Sequence, residues 1–328
     1  MSRSIHASGS LPVMLDAPPN KSHGRVGAIR SLLDSDFVHA FLRSKLAVAA
    51  ALVTLTLVLV AALAPVIAPH DPFDLKSLDL LDSRLPPAWA QDGDLRYLLG
   101  TDEEGRDVLS AILYGTRISL TVGVLSVAFA AVLGIALGLC AGYMGGTIDA
   151  LIMRVADVQL TFPAILIALL LDGTLRALFG ARRSEILEFW VLVISIGLSF
   201  WVQYARTVRG STLVEKGKDY VLAARLIGLH PGLILVRHIL PNVLGPVLVI
   251  ATINLALAII TEATLSFLGV GLPPTQPSLG TLIRIGNNFL FAGEWWIAIF
   301  PGVTLAVLIV AINLLGDWLR DALNPRLR

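Results

Sequence analysis

Apolar residues along this chain are gathered in long runs, separated by polar stretches that contain charge, glycine or proline. A helix that crosses a bilayer core of about 30 Å needs about 17 to 25 apolar residues, because each residue adds about 1.5 Å. The third run is the weakest, since Asp172 and Arg176 lie near its end. The pattern predicts six spanning helices, at Leu46–Ala68, Ser119–Tyr143, Leu160–Leu178, Leu187–Tyr204, Val243–Phe267 and Trp296–Leu319.

The composition supports a membrane protein. The 328 residues are 55% hydrophobic and 15% charged, with a mean hydropathy of +0.78. That leaves too little polar surface to cover a soluble globule of this size. The single cysteine, Cys140, lies inside an apolar run, so we expect a small buried side chain rather than a disulfide or a thiolate metal site.

Basic residues predict the orientation of the spans, because lysine and arginine favour the cytoplasmic side. With both termini inside, the cytoplasmic segments hold 16 of the 25 basic residues and the external segments hold 9. We therefore predict an all-α polytopic protein with six transmembrane helices and with its N- and C-termini in the cytoplasm.

The polar segments before and after the first span differ in character. Residues 1–45 form a predicted cytoplasmic tail, disordered to about Ser31 and retained in the protein, with a docking peptide as the alternative. Residues 46–114 hold the first span and a periplasmic segment. The stretch from Pro69 to about Arg117 is acidic and rich in turn residues, so we expect it to fold over the outer mouth.

The largest predicted cytoplasmic loop, Ala205 to Leu240, carries a net charge of +4. Asp219 is a suitable N-cap, and the apolar spacing that follows predicts a short amphipathic helix to about Ile227. Gly228 and the His230–Pro231 pair should end it, and a second helix should begin near Pro231. Pro241 suits the first turn of the fifth span.

The small residues of this loop leave two interpretations open. Ala223, Ala224 and Gly228 would let a foreign surface approach the backbone closely, as a plug in a partner's groove requires. Alternatively, a basic amphipathic helix of this kind lies on anionic lipid.

Several stretches resemble the C-type subunit of the dipeptide/oligopeptide/nickel permease family of bacterial ABC importers. The loop sequence AARLIGLHPGLILVRHILPN is similar to that family's cytoplasmic EAA loop. Four further stretches match in the same way: LGTDEEGRDVLSAILYGTRISLTVG (99–123), DALIMRVADVQLTFPAILIAL (149–169), EATLSFLGVGLPPTQPSLG (262–280) and NLLGDWLRDALNPRLR (313–328). The resemblance extends from about residue 44 to the C-terminus. Leu222, Ala111 and Leu279 depart from the family pattern, Leu222 by replacing the usual EAA glutamate.

The resemblance implies a type I ABC importer permease fold, with a core at 115–328 and a coupling loop at about 205–241. It implies import of di- or oligopeptides, with nickel chelates, glutathione or another small solute as the alternative. The partners implied are a homologous permease, two cytosolic ATPase subunits and a periplasmic binding protein, besides membrane lipid; nucleic acid is not expected. The residues implied for ATPase coupling are Asp219, Tyr220, Ala223, Ala224, Arg225, Gly228, His230, Pro231, Arg237 and Pro241.

The sequence contains no phosphate-binding loop of the form G-x-x-x-x-G-K-[ST], so ATP and Mg²⁺ are expected on partner subunits and no cofactor on this chain. No hydrolase motif occurs either, and His230 and His238 lack a metal-ligand pattern, so an enzyme is not expected. An ion-coupled secondary transporter is the alternative from another class, but no inverted repeat is visible.

Two features within the predicted spans call for explanation. Glu262 is acidic inside the fifth span, where charge is costly, so it could line the pathway or be held by neighbouring helices near the outer interface. Gly134, Gly138 and Gly142 recur every four residues of the second span and predict a smooth face for close helix packing.

Overall fold

The computed structural model describes residues 36–73, 79–179, 184–273 and 275–323, and apart from an isolated bridge between Thr101 and Asp107 its regular structure there is helical. The α-helices are α1 (Asp36–Arg43), α2 (Lys45–Ala62), α3 (Ala64–Ile67), α4 (Val108–Met144), α5 (Gly146–Leu160), α6 (Ala164–Phe179), α7 (Glu185–Glu215), α8 (Asp219–Leu226), α9 (Pro231–Ile234), α10 (Leu240–Phe267), α11 (Leu279–Asn287) and α12 (Trp296–Leu323). Short 3₁₀ turns cover Leu80–Asp82 and Leu290–Ala292, and a π-helical turn covers Leu235–Ile239.

The chain divides into two units, of which residues 1–43 form the first. Within it, α1 is an eight-residue amphipathic helix with Arg43 in its last turn. The predicted disorder up to Ser31 lies outside the described residues.

The second unit, from Ser44 onward, is built around the pairing of α4 with α7. The three glycines of the second predicted span lie at this contact, as their spacing predicted. A Cβ on Gly134 would lie 2.5 Å from the Trp201 carbonyl oxygen, and one on Gly138 would lie 2.6 Å from that of Ala205. A Cβ on Gly142 would likewise lie too close to the Thr212 side chain. Because glycine has no side chain, the two backbones can approach closely along several turns.

The remaining long helices surround this pair. Helix α10 packs on α4, α7 and α12, while α12 also contacts α11 and α2. Helix α2 is the least covered: only 17% of its most apolar window is buried. Its leucine-rich outer surface is thus available to lipid or to another chain.

Five helices of the described residues are long and apolar enough to cross a membrane, and they match the predicted spans one, two, four, five and six, except that α2 ends at Ala62, before the predicted end of span one at Ala68. The third predicted span, Leu160–Leu178, is not one continuous helix. Helices α5 and α6 are bent by 90° at a short break, and the count reaches six only if this pair is one span. The break falls at Pro163, which lacks a donor N–H and disfavours a helical conformation in the residue before it.

The segment between α3 and α4 is compact in its described part, residues 79–107. Asp107 caps α4 by accepting hydrogen bonds from the Ser110 N–H and hydroxyl at 3.0 and 2.6 Å. The Asp102 carboxylate accepts from the backbone N–H groups of Glu104 and Arg106, each at 2.9 Å. Trp296 at the start of α12 donates its indole N–H to the Thr101 carbonyl at 3.1 Å. This segment is therefore fixed over one end of α4 and α12.

Candidate functional site

The basic loop, defined here as residues 216–239, is shorter than predicted. Residues 205–215 belong to α7, which continues to Glu215, because Ala205, Val208 and Thr212 form a buried face against the glycines of α4. Helix α8 follows, then a turn through Gly228, the short α9 and the π-helical turn. The predicted succession of helix, elbow, helix and membrane span is thus present, with its first helix ending close to Ile227 as expected.

The predicted N-cap of α8 is wrong, whereas the predicted helix end at Gly228 is confirmed. Asp219 is not the N-cap: it is the first helical residue, and Lys218 occupies the cap without a side-chain bond. A carboxylate in the first turn still interacts favourably with the helix dipole. At the other end Gly228 has φ +79°, a left-handed conformation that favours glycine.

Helix α9 begins as the sequence indicated. Pro231 is in its first turn, and the His230 ring accepts a hydrogen bond from the Gly232 N–H at 3.2 Å, so His230 acts as the cap. Pro241 lies in the first turn of α10. No group of three or more potential metal-ligating side chains is found in the described part of the chain.

One face of α8 packs on the protein itself. Val221 and Ala224 are 0% and 4% exposed and belong to the main hydrophobic core together with Ile234 and Ile239. Ala224 was expected on the open surface with Ala223. The helical period instead turns it inward, so its small size serves packing within this chain.

The opposite face of α8 is apolar and uncovered. Leu226 is 88% exposed and Ile227 is 76% exposed, while Leu222, one turn before Leu226, is also exposed. Ala223 lies beside them, and Gly228 has open space around its Cα. We call Leu222, Ala223, Leu226 and Ile227 the outer ridge. Exposed leucine and isoleucine grouped in this way are typical of a protein interface.

A hydrogen-bond network fixes α8 to the ends of α7 and α10. The Tyr220 hydroxyl donates to Glu215, and the Asn242 amide donates to the Tyr220 oxygen at 3.2 Å. Lys218 donates to the other Glu215 oxygen at 2.6 Å. Glu215 and Asn242 were not predicted as site residues, because nothing in their local sequence indicates that the chain brings them together.

Burial, together with the hydrogen bond to the Glu215 carboxylate, raises the pKa of Tyr220 to about 12. The side chain is therefore protonated across the physiological pH range and remains a donor to Glu215. The anchor between α7 and α8 does not depend on pH in that range.

The basic residues of the loop divide between two roles. Lys216 donates to the Gly142 carbonyl at the end of α4 at 2.7 Å, and the Arg225 guanidinium lies 4.8 Å from the centre of the Tyr143 ring. These two cations hold the loop against α4. Arg237 lies within the π-helical turn, and its side chain is exposed.

Glu262 is fully buried, at 0% exposure, in the last part of α10. Its carboxylate accepts hydrogen bonds from the Ser119 hydroxyl of α4 and the Ser266 hydroxyl of α10, both at 2.7 Å. Ser119 in turn accepts from the Leu279 N–H, at the start of α11, at 3.3 Å. Glu262 therefore connects three helices while fully buried, which favours the structural alternative.

Comparison with protein families gives two matches that together cover most of the chain. Residues 134–328 match the model described as the binding-protein-dependent transport system inner membrane component. Residues 31–87 match the N-terminal transmembrane domain of oligopeptide transport permease C.

Curated relatives align over most of their length and most of this chain. A dipeptide transport system permease protein of Haemophilus influenzae is 40% identical over 84% of this chain and 88% of the relative. A di/tripeptide transport system permease protein of Pseudomonas aeruginosa is 37% identical over 89% and 92%. The Escherichia coli dipeptide transport system permease protein is 39% identical over 89% and 93%.

Among solved structures, a chain of the MetNI methionine ABC transporter in an inward-facing conformation aligns with a TM-score of 0.51 and 19% identity. The alignment covers 65% of this chain and 96% of that chain. At this identity the likeness concerns the fold alone.

Proposed function

The chain belongs to the family of binding-protein-dependent inner-membrane transport components, in its oligopeptide permease C branch, and on that premise we propose that it imports di- or oligopeptides across the bacterial inner membrane. The observation that carries this proposal is the 37–40% identity to dipeptide and di/tripeptide permeases over 84–89% of the chain. Family membership sets aside the ion-coupled secondary transporter.

We propose its orientation in the membrane from the helices and the basic residues together. With α5 and α6 forming one broken crossing, six crossings put both termini in the cytoplasm, where basic residues are concentrated. Residues 1–45 are then the cytoplasmic tail, 46–114 the first span with the periplasmic segment, and 115–328 the permease core. The basic loop lies on the cytoplasmic side.

The energy for import comes from partner subunits in this proposal. Two cytosolic ATPase subunits bind ATP and Mg²⁺, a homologous permease completes the pathway, and a periplasmic binding protein delivers the peptide. The basic loop is the coupling element. Its inner face is anchored to α4, α7 and α10, and its outer ridge is uncovered, so a force applied at the ridge is transmitted to the long helices.

Glutathione is the second candidate cargo, because a glutathione transport system permease protein of Pectobacterium atrosepticum is 37% identical over 89% of this chain. Glutathione is itself a small peptide-like solute. Nickel chelates remain a third outcome to be tested.

Uptake by cells that lack this subunit tests the proposal. Labelled di-, tri- and longer peptides, glutathione and nickel are each offered to the deletion strain and to the same strain carrying the gene. We expect peptide uptake to be lost on deletion and restored by the gene. Peptide uptake that is equal in both strains, with loss of glutathione or nickel uptake alone, would contradict the peptide assignment.

A further inference from the structure

Arg117 is a charged residue on α4, the longest helix in the described part of the chain, and the proposed coupling role does not involve it. It lies ten residues into α4, and its side chain is exposed. Neither an ion pair nor a hydrogen bond of its guanidinium is found within the described residues. In the proposed topology Arg117 lies at the outer end of α4, just before the predicted span that begins at Ser119, so its charge meets water there and is accessible to an anion.

Arg117 lines a cavity of about 330 Å³. Three separate parts of the chain form its walls: Phe73 before α4, Phe189 near the start of α7, and Leu272 with Gln276 in the connection between α10 and α11. The proposed topology puts all three at the outer end of the spans. The cavity therefore lies where a solute released outside the membrane first meets this subunit.

The walls combine one cation with apolar and aromatic surface. Phe73 meets the Tyr114 ring edge-on, with 4.9 Å between the ring centres, and Ile118 and Leu272 add aliphatic surface. Gln276 has its amide N–H committed to Glu185 at 2.8 Å. Tyr114 lies one helical turn before Arg117 and so presents its phenol on the same face.

We propose that Arg117 and this cavity form an outer subsite that binds the C-terminal carboxylate of the peptide, an inference that rests on the proposed peptide import. A guanidinium forms two parallel charge-assisted hydrogen bonds with a carboxylate. The aromatic and aliphatic walls suit the side chain of the terminal residue. A volume of about 330 Å³ is at the small end of ligand pockets, which is the size expected for one end of a peptide rather than a whole one.

A lipid phosphate is the competing anion. Arg117 also borders a groove between α2 and α4 that is lined mainly by Val58, Ala61, Leu120 and Val124. Thr121 lines both the groove and the cavity, and its hydroxyl is already donated to the Arg117 carbonyl at 2.7 Å, so the groove adds mainly apolar surface. Phe73, Tyr114 and Phe189 line the cavity and not the groove, so the aromatic lining favours the side chain of a peptide.

The test uses the whole importer in proteoliposomes with saturating binding protein. Uptake of a peptide with a free C-terminal carboxylate is compared with uptake of the same peptide as its C-terminal amide. The ratio of the two rates cancels the selectivity of the binding protein, which is the same in every preparation. The variants are Arg117→Gln, Arg117→Lys and, as the matched control, Arg154→Gln, which removes an exposed arginine from α5.

We expect Arg117→Gln to lower the carboxylate-to-amide ratio about tenfold, mainly through KM, because a charge-assisted pair is lost. Arg117→Lys should keep part of the ratio, and Arg154→Gln all of it. The amount of assembled importer is measured in each preparation, so that a folding defect, which lowers both rates alike, is recognised.

Two results would overturn the subsite. One is a ratio that Arg117→Gln leaves unchanged. The other is a loss of uptake of both peptides in Arg117→Gln, relative to wild type, that disappears when both importers are reconstituted without anionic phospholipid. The arginine would then serve a lipid phosphate. Failure of the proposed function itself is distinct, because the wild-type importer would then transport neither peptide.

Discussion

At the scale of single residues, Glu262 shows how burial changes the meaning of a charged side chain. Its sequence position in an apolar span allowed either a pathway role or a structural one. The carboxylate accepts from serines of two helices, and one of these serines accepts from the backbone of a third. A buried acceptor satisfied in this way holds neighbouring helices in register, because leaving its partners unpaired is costly.

We therefore expect Glu262→Ala to lower the stability of the folded importer by about 2 kcal/mol or more, measured as a drop in its unfolding temperature. Thr264→Ala is the control, since that hydroxyl bonds only to the Ile260 carbonyl of its own helix. Glu262→Gln should reduce the uptake of cationic and neutral peptides by the same factor. A selective loss of cationic peptides, with stability kept, would instead show that Glu262 lines the pathway.

At the scale of the element, α8 has two faces with different tasks. Val221 and Ala224 are packed into this chain, whereas the outer ridge is exposed and apolar. Leu222 stands where the resemblance to the EAA loop leads us to expect glutamate, and it extends the apolar surface of the ridge. If the ridge is the proposed contact with the ATPase, that contact is apolar at this point, and substitutions on the two faces should fail for different reasons.

Leu226→Glu should reduce the amount of ATPase that co-purifies with the permease about tenfold, because a carboxylate would be desolvated in an apolar contact. Its effect on permease stability should be small, since the side chain is 88% exposed. Leu95→Glu is the matched control, being equally exposed in the segment before α4. Full ATPase retention by Leu226→Glu would show that the ridge is not the contact. Ala224→Arg is a poor test, because it would disrupt the packing of α8 on its own chain.

At the scale of the whole molecule, the contact of α4 with α7 is the most extensive helix pairing of the unit that begins at Ser44. The three glycines of α4 bring the backbones together, and the basic loop begins directly where α7 ends. Lys216 donates across this contact to the last turn of α4. Any separation of α4 from α7 should therefore also displace the loop.

Gly138→Ala tests this contact. The added methyl group would lie 2.6 Å from the Ala205 carbonyl oxygen, and we expect a loss of stability of about 1 to 3 kcal/mol. Gly302→Ala, in α12, meets no atom within 4 Å and should change stability little. Thermal unfolding of the two purified variants provides the comparison. Equal unfolding temperatures for both would mean that α4 and α7 tolerate a wider separation.

Local pattern was sufficient for much of the molecule. The positions of five spans, the small-residue face of α4, the elbow at Gly228 and the start of α9 at Pro231 all follow from apolar run length, residue size and backbone preference. These properties belong to residues near one another in the chain. The same reasoning gave the wrong cap for α8, because Asp219 and Lys218 differ by only one position and side-chain preference does not fix a boundary that closely.

The sequence by itself determined that the chain is helical, membrane-spanning and equipped with a basic loop of two short helices, because hydropathy and helix breakers act locally. Only the tertiary structure decided the extension of α7 to Glu215, the inward position of Ala224 and the burial of Glu262 between α4, α10 and α11. Each of these depends on which distant segment supplies a packing surface or a hydrogen-bond partner. That pairing arises only when helices far apart in the chain meet.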